Sequence, residues 1–95
     1  MSVYFVARLD IKDPGRYEDY LSGFDPAFEG RGGEVLAVDD GAEVLEGQAP
    51  KGRSVIIRFP DEASFRAWYD SEAYRSLRAI RNEAAEGPVI LVHGR

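Results

Sequence analysis

The stretch VYFVARLDI, residues 3–11, places Val3, Phe5, Ala7, Leu9 and Ile11 on one side and Tyr4, Val6, Arg8 and Asp10 on the other. That period of two is the pattern of a strand with one face in the core. Its second face is not purely polar, because Tyr4 and Val6 lie on it. Downstream, Asp13-Pro14 offers an N-cap followed by proline at the first helical position, and the apolar residues shift to Tyr17, Tyr20, Leu21, Phe24 and Phe28. This spacing predicts a helix with one apolar stripe. Pro26 is expected to kink it or start a new turn, and Gly30-Arg31-Gly32-Gly33 to end it.

Two short extended pieces follow, EVLAV and AEVLE, separated by the turn Asp39-Asp40-Gly41. They read as a hairpin or as one strand with a bulge. After the loop Gly47-Gln48-Ala49-Pro50-Lys51-Gly52 comes RSVIIRF, residues 53–59, a β-branched run expected to be a central strand. Asp61 and Ser71 then act as N-caps of two consecutive helices meeting at a bend, one carrying Phe65, Trp68 and Tyr69, the other Tyr74, Leu77, Ile80 and Ala84. Gly87-Pro88 precedes a last strand, VILVH.

The order βα, ββ, αβ is that of an α+β ferredoxin-like fold with an antiparallel sheet. The first strand and RSVIIRF are its central neighbours, expected here as a parallel pair. Both helical segments cover one face of the sheet. The other face keeps Tyr4, Val6, Ile56 and part of the Val89–Val92 run, an apolar surface unusual for a monomer. Burying each such side chain is worth roughly 1.5–3 kcal/mol, so a second copy packed sheet to sheet is the expected lid. The expectation is a homodimeric α/β barrel built from one domain, residues 1–95.

Composition narrows the partners. The chain has 95 residues, no cysteine, and 12 basic against 17 acidic residues, a net charge of −5. A chain of this length buries roughly 64% of its unfolded surface, enough for one modest core. Its acidity argues against nucleic acid and anionic lipid as partners. The lack of cysteine removes disulfides, thiolate metal sites and cysteine nucleophiles, and fits a cytoplasmic location. No signal peptide or membrane span is read from the sequence.

The segment VLEGQAPKGRSVIIRFPDEASFRAWYDSEAYRSLRAIRNEAA, with the opening YFVARLDIKDPGRYEDY and the closing ILVHGR, resembles the bacterial family known as domain of unknown function 1330, in the dimeric α/β-barrel group. The resemblance spans nearly the whole chain. Its most specific parts are Leu45-Glu46-Gly47, Arg53, Phe59-Pro60, Trp68-Tyr69 with Ser71 and Tyr74, and Arg81. It implies a ferredoxin-like fold and a homodimer, and no biochemical function. Related barrel families include cofactor-free monooxygenases, a lactone isomerase and haem-binding enzymes, whose catalytic residues differ too much to be carried over.

Candidate site residues come from charge and polarity in apolar settings. Arg8 and Arg58 fall near the ends of central strands on the barrel-facing side, and a parallel pairing would bring them to the same end. Two guanidiniums there suit the carboxylate of a small organic acid. The structural alternative is salt bridging to Glu34, Glu46 or Asp10. Trp68, Tyr69, Ser71 and Tyr74 form a second candidate ligand-binding cluster at the helix bend, the alternative being core packing and a cap worth about 1 kcal/mol. Arg81 shares a helical face with Tyr74, for ligand contact or for a structural bridge. His93, the lone histidine, and Tyr74 are the candidates for handling protons, the alternative for His93 being a solvated strand end.

No carboxylate cluster or second histidine suggests a metal site, and no cofactor is expected. A phosphate loop, a GxSxG elbow and a dinucleotide fingerprint are all absent. The sequence thus predicts a homodimer that binds a small organic molecule, with a carboxylate ligand in view. As an enzyme it would perform cofactor-free proton transfer or oxygenation, Arg8 and Arg58 orienting the substrate. The alternative is a non-catalytic dimeric interaction or accessory domain whose arginines serve the interface. A void lined by Arg8, Arg58 and aromatics favours the first, a solidly filled barrel the second.

Overall fold

A computed structural model describes residues 1–48 and 51–95, so Ala49 and Pro50 of the expected Gly47–Gly52 loop lie outside the described residues. In chain order the elements are β1 (Val3–Ile11), α1 (Pro14–Phe28), β2 (Glu34–Asp39), β3 (Arg53–Phe59), α2 (Glu62–Tyr69), α3 (Glu72–Ala84), β4 (Ala85–Glu86) and β5 (Val89–His93). β1 keeps its period of two: Val3, Phe5, Ala7 and Leu9 are buried and the residues between them only partly so. Each helix begins where a side chain accepts the first orphan amide: Asp13 from Arg16, Asp61 from Ser64 and Ser71 from Tyr74. α1 runs through Pro26 to Phe28 as one helix, so no new turn starts there. Pro26 forfeits one bond close to a helix end, where the remaining turn is short.

All strand pairs are antiparallel, in the order β2-β3-β1, with β4 and β5 both on the far side of β1. The parallel pairing expected of β1 and β3 is therefore wrong. The chain reverses at each connection, twice between β1 and β2 and once more before β3, so β3 opposes β1. Tyr4 consequently pairs with Arg58 and Arg8 with Ser54. Arg8 and Arg58 stand four positions apart along the sheet, roughly 13 Å at the rise of an extended chain.

AEVLE does not form a strand either. The Asp39 carboxylate accepts from the Gly41 N–H at 2.8 Å, and Asp40 binds the Arg53 guanidinium at 2.8 and 3.2 Å. These contacts turn the chain away from the sheet and close the base of the loop, leaving β3 to pair with β2. β4 was not foreseen; it is the first part of an edge interrupted at Gly87-Pro88, where the Arg8 N–H donates to the Pro88 carbonyl at 3.0 Å.

Trp68 and Tyr74, both 0% exposed, sit at the centre of the core under the helices. The opposite sheet face carries Tyr4, Val6, Ile56, Ile90 and Val92 with no element over it among the described residues, Ile90 being 55% and Val92 41% exposed. The molecule is correspondingly a slab of 35 × 33 × 16 Å, two layers thick.

Two glycines let strands approach β1. Gly52 (φ +136°) and Gly87 (φ +140°) lie against its backbone, and a Cβ on either would strike the Leu9 or Arg8 carbonyl oxygen. Gly87→Ala should cost at least about 1–3 kcal/mol from backbone strain alone. Chemical denaturation would show this as a lower midpoint with an unchanged slope, and a wild-type midpoint would refute it.

Candidate functional site

Tyr17, Tyr20 and Phe24 recur along α1 at spacings of three and four, and Tyr74 and Arg81 recur along α3 at a spacing of seven. The two helices lie side by side on the sheet, so these stripes face one another. A cavity of about 220 Å³ opens between α1 and the sheet. Its walls are Tyr17, Tyr20, Leu21 and Phe24 on one side and Phe5, Leu9, Val55 and Ile57 on the other, with Val35, Val38 and Asp25 also in the lining. A dry cavity of about 150 Å³ takes benzene, so this one has room for a substituted ring.

Two cations reach the apolar space. Arg53 is already neutralised by Asp40 and lies over the Tyr17 ring, 5.5 Å from its centroid. Arg81 is different: it is 4% exposed and, among the described residues, has no carboxylate within ion-pair distance. Its Nη1 donates to the Tyr74 hydroxyl at 3.1 Å and its Nη2 to Asn82 Oδ1 at 3.4 Å. The Tyr74 and Tyr20 hydroxyls are 2.7 Å apart. A guanidinium, two phenols and an apolar chamber therefore form one connected site.

Burial pushes the Tyr20 hydroxyl well above the usual phenol range and the Tyr74 hydroxyl upward as well, so both stay protonated. Burial works against the Arg81 charge, but the oxygens of Tyr74, Tyr20 and Tyr69 together outweigh it and leave a net upward shift, so Arg81 is a cation. At Tyr69, burial again pushes upward, and Arg78 and Arg81 outweigh it, giving a net downward shift. The Arg78 guanidinium lies 4.3 Å from the Tyr69 ring centroid. The site is thus rich in donors and poor in bases, suited to holding an oxyanion.

The residues singled out from the sequence separate into three groups. Tyr74 and Arg81 are hydrogen-bonded to each other, Arg81 in the cavity lining and Tyr74 in the core outside that lining, with the Trp68 ring 4.0 Å from that of Tyr74. Ser71 pins the α2–α3 bend, donating to the Trp68 carbonyl at 2.7 Å and accepting from the Tyr74 N–H at 3.2 Å. Arg8 and Arg58 are on the opposite sheet face and do not converge, and Arg8 Nε is buried without a partner. His93 lines no part of the cavity; its Nε2 is 2.9 Å from Glu62 Oε1. The void that exists is therefore lined by Arg53 and Arg81 rather than by Arg8 and Arg58. The sequence offers Tyr20 only as a stripe residue, and Arg53 as the start of a β-branched strand and part of the family resemblance, neither as a site residue. The signal for Tyr20 was a phenol on a buried stripe, which needs a partner for its hydroxyl. Among the described residues no cluster of three or more His, Asp or Glu is placed to hold a metal, and no helix is long and apolar enough to cross a membrane.

Three exposed carboxylates respond to acid. Asp40 is held below its usual range by hydrogen bonding to Arg53, Asp61 by the Ser64 amide and hydroxyl, and Glu62 by the His93 ring. A depressed folded pKa adds stability that is present above the unfolded value and lost as pH falls through the folded one. Melting temperature should therefore drop as pH falls below about 4, the ordinary carboxylate range. In a triple Asp40→Asn, Asp61→Asn, Glu62→Gln variant the deficit relative to wild type should shrink over that interval. Parallel thermal melts from pH 7 to 2 check this; a deficit that stays constant refutes it.

Fold and site together define an α+β ferredoxin-like protein with all its helices on one sheet face and a cationic, apolar cleft beneath them. The chain belongs to the family described as domain of unknown function (DUF1330), which it matches over residues 2–95. A protein of unknown function from Rhodopseudomonas palustris is structurally similar, with TM-score 0.80, 19% identity, 99% of this chain and 82% of that one covered. SnoaB, a cofactor-independent oxygenase from Streptomyces nogalater, has TM-score 0.64 and 17% identity, covering 99% of this chain and 93% of that one. A dimeric ferredoxin-like protein of unknown function from Thermobifida fusca has TM-score 0.64 and 19% identity, covering 99% and 92%. No curated protein matches the chain.

Proposed function

We propose that this chain is a one-domain, cytoplasmic homodimer in which each protomer binds a small organic anion with an apolar body in the cleft between α1 and the sheet. The observation that carries this reading is Arg81: a buried cation in the wall of an apolar cavity, without a carboxylate partner among the described residues. Buried arginines are generally paired, and here a ligand would supply the missing charge. The dimer is supported by the uncovered apolar sheet face and by the dimeric neighbour from Thermobifida fusca.

A thermal-shift screen of small aromatic and aliphatic acids tests the site. A ligand at about a hundredfold excess over Kd should raise the melting temperature by on the order of 10 °C. Arg81→Gln should abolish the shift, whereas Arg8→Ala and Arg58→Ala should leave it intact. Loss of the shift in the Arg8 variant, or its retention in the Arg81 variant, would overturn the assignment.

A second reading, a cofactor-free enzyme, draws support from the hydroxyl pair beside Arg81 and from the shared fold with SnoaB, a cofactor-independent oxygenase. Turnover of a hit from the screen by the purified chain, with no added cofactor, separates it from simple binding.

A further inference from the structure

We propose that the cleft recognises weak acids of the phenol and enol class and binds them as single-oxygen anions, through a donor relay from Arg81 to Tyr74 to Tyr20. This rests on the cleft reading above and narrows its ligand. Arg81 directs Nη1 to the Tyr74 oxygen and Nη2 to Asn82 Oδ1, so its fork is engaged by protein acceptors. A carboxylate prefers two parallel N–H donors, and with two of its five N–H groups committed to protein acceptors the guanidinium offers a ligand a reduced fork.

What remains for a ligand is set by the direction of the hydroxyls. If Tyr20 donated to Tyr74, the Tyr74 proton would be left without an acceptor in the core, where Tyr74 is 0% exposed. If Tyr74 donates to Tyr20, the spare proton belongs to Tyr20, which lines the cavity as Tyr74 does not. The second arrangement avoids an orphaned core hydroxyl. It presents one O–H, polarised through Tyr74 by a guanidinium, and one donor matches one anionic oxygen.

The surroundings support ionisation of the ligand inside the cleft. Arg81 from α3 and Tyr20 from α1 line the chamber, Tyr74 is hydrogen-bonded to both, and Tyr69 with Arg78 lies beside Arg81 from the α2 side. Arg53 on β3 is balanced by Asp40, and Asp25 is the one acidic group among the lining residues. The chamber is otherwise apolar, so a neutral phenol enters without giving up a hydrated charge. Once bound, it releases its proton to solvent, and Tyr20 and Tyr74 keep theirs.

4-Nitrophenol is a suitable probe because its anion absorbs visible light and its neutral form does not. Titrated against pH with saturating folded protein, it should ionise with an apparent pKa lowered by about one unit or more, a tenfold change in the equilibrium. Tyr20→Phe, which keeps the Arg81 charge and the fold, should still bind the probe but lose most of the shift. Benzoate should compete weakly. Binding with an unshifted pKa, an undiminished shift in Tyr20→Phe, or benzoate binding more tightly than nitrophenolate would each overturn the inference while leaving an anion cleft in place. Arg81-dependent binding of other anions with no nitrophenol bound would overturn it as well. Failure of the probe, benzoate and all the acids of the screen to bind would overturn the cleft reading itself.

Discussion

Trp68→Ala is expected to lower the melting temperature by roughly 15–30 °C. A buried Trp→Ala change costs about 3–5 kcal/mol, and a domain of this size loses about 4–8 °C per kcal/mol. The upper part of that range applies because Trp68 is 0% exposed and wedged between layers. Its ring stacks on Phe59 at 5.3 Å, meets Phe5 and Phe28 edge-on at 5.7 and 5.6 Å, and lies 4.0 Å from Tyr74. No single neighbour can collapse into the void without abandoning contacts elsewhere. Trp68→Phe sharpens the test: it keeps a ring in place and removes the indole N–H, which is buried without a partner. An orphaned donor costs about 1–3 kcal/mol, so the phenylalanine variant should recover most of the loss. Calorimetry on the two variants decides. A loss of only a few degrees in Trp68→Ala would mean that the core is not organised around this residue.

Trp68 also shows what a sequence can and cannot display. Its burial, the period of β1, the caps Asp13, Asp61 and Ser71, and the two-helix segment after Phe59 are local patterns, and each recurs in the structure. The ferredoxin-like class follows from their order. Alternation along a strand names the face of a residue but not the end of the sheet at which it sits. For that reason the alternation gives the shared face of Arg8 and Arg58 but not their separation along it, which the antiparallel register sets at four positions. β propensity in AEVLE likewise names no pairing partner, and the carboxylates of Asp39 and Asp40 decide the path instead.

The cleft was half legible. Tyr74 and Arg81 stand out as polar groups on one stripe of one helix. Tyr20 becomes their partner only through packing of α1 on α3, a contact 54 residues away in sequence. Arg53 enters through the register of β3. No spacing rule within one element reveals a chamber whose walls come from five.

The uncovered sheet face yields the second large effect: Ile56→Asp should convert the proposed dimer to a monomer at micromolar concentration. Val6 pairs across the sheet with Ile56 on one side and Ile90 on the other, and Tyr4 with Val92 lies one step along. In a two-fold dimer each substitution occurs twice in the interface. An unpaired buried charge costs about 3–5 kcal/mol, so the dissociation constant should rise by about a thousandfold or more. Ile56 points away from the helices, and its register neighbours Val55 and Ile57 are the ones that line the cleft, so the circular dichroism spectrum should be preserved. Charge acts in the same experiment. Each protomer carries −5, so a dimer carries −10 and repels itself at long range, and added salt should strengthen wild-type association. Locally the signs alternate: Arg58 is in register with Glu34, and Arg8 shares a row through Ser54 with Asp39. Such rows bordering an apolar centre are self-complementary under a two-fold axis, and the Arg8 Nε is buried without a partner within one protomer. Sedimentation velocity of wild type and Ile56→Asp at several salt concentrations reads both effects, and a monomeric wild type at micromolar concentration would refute the proposed barrel.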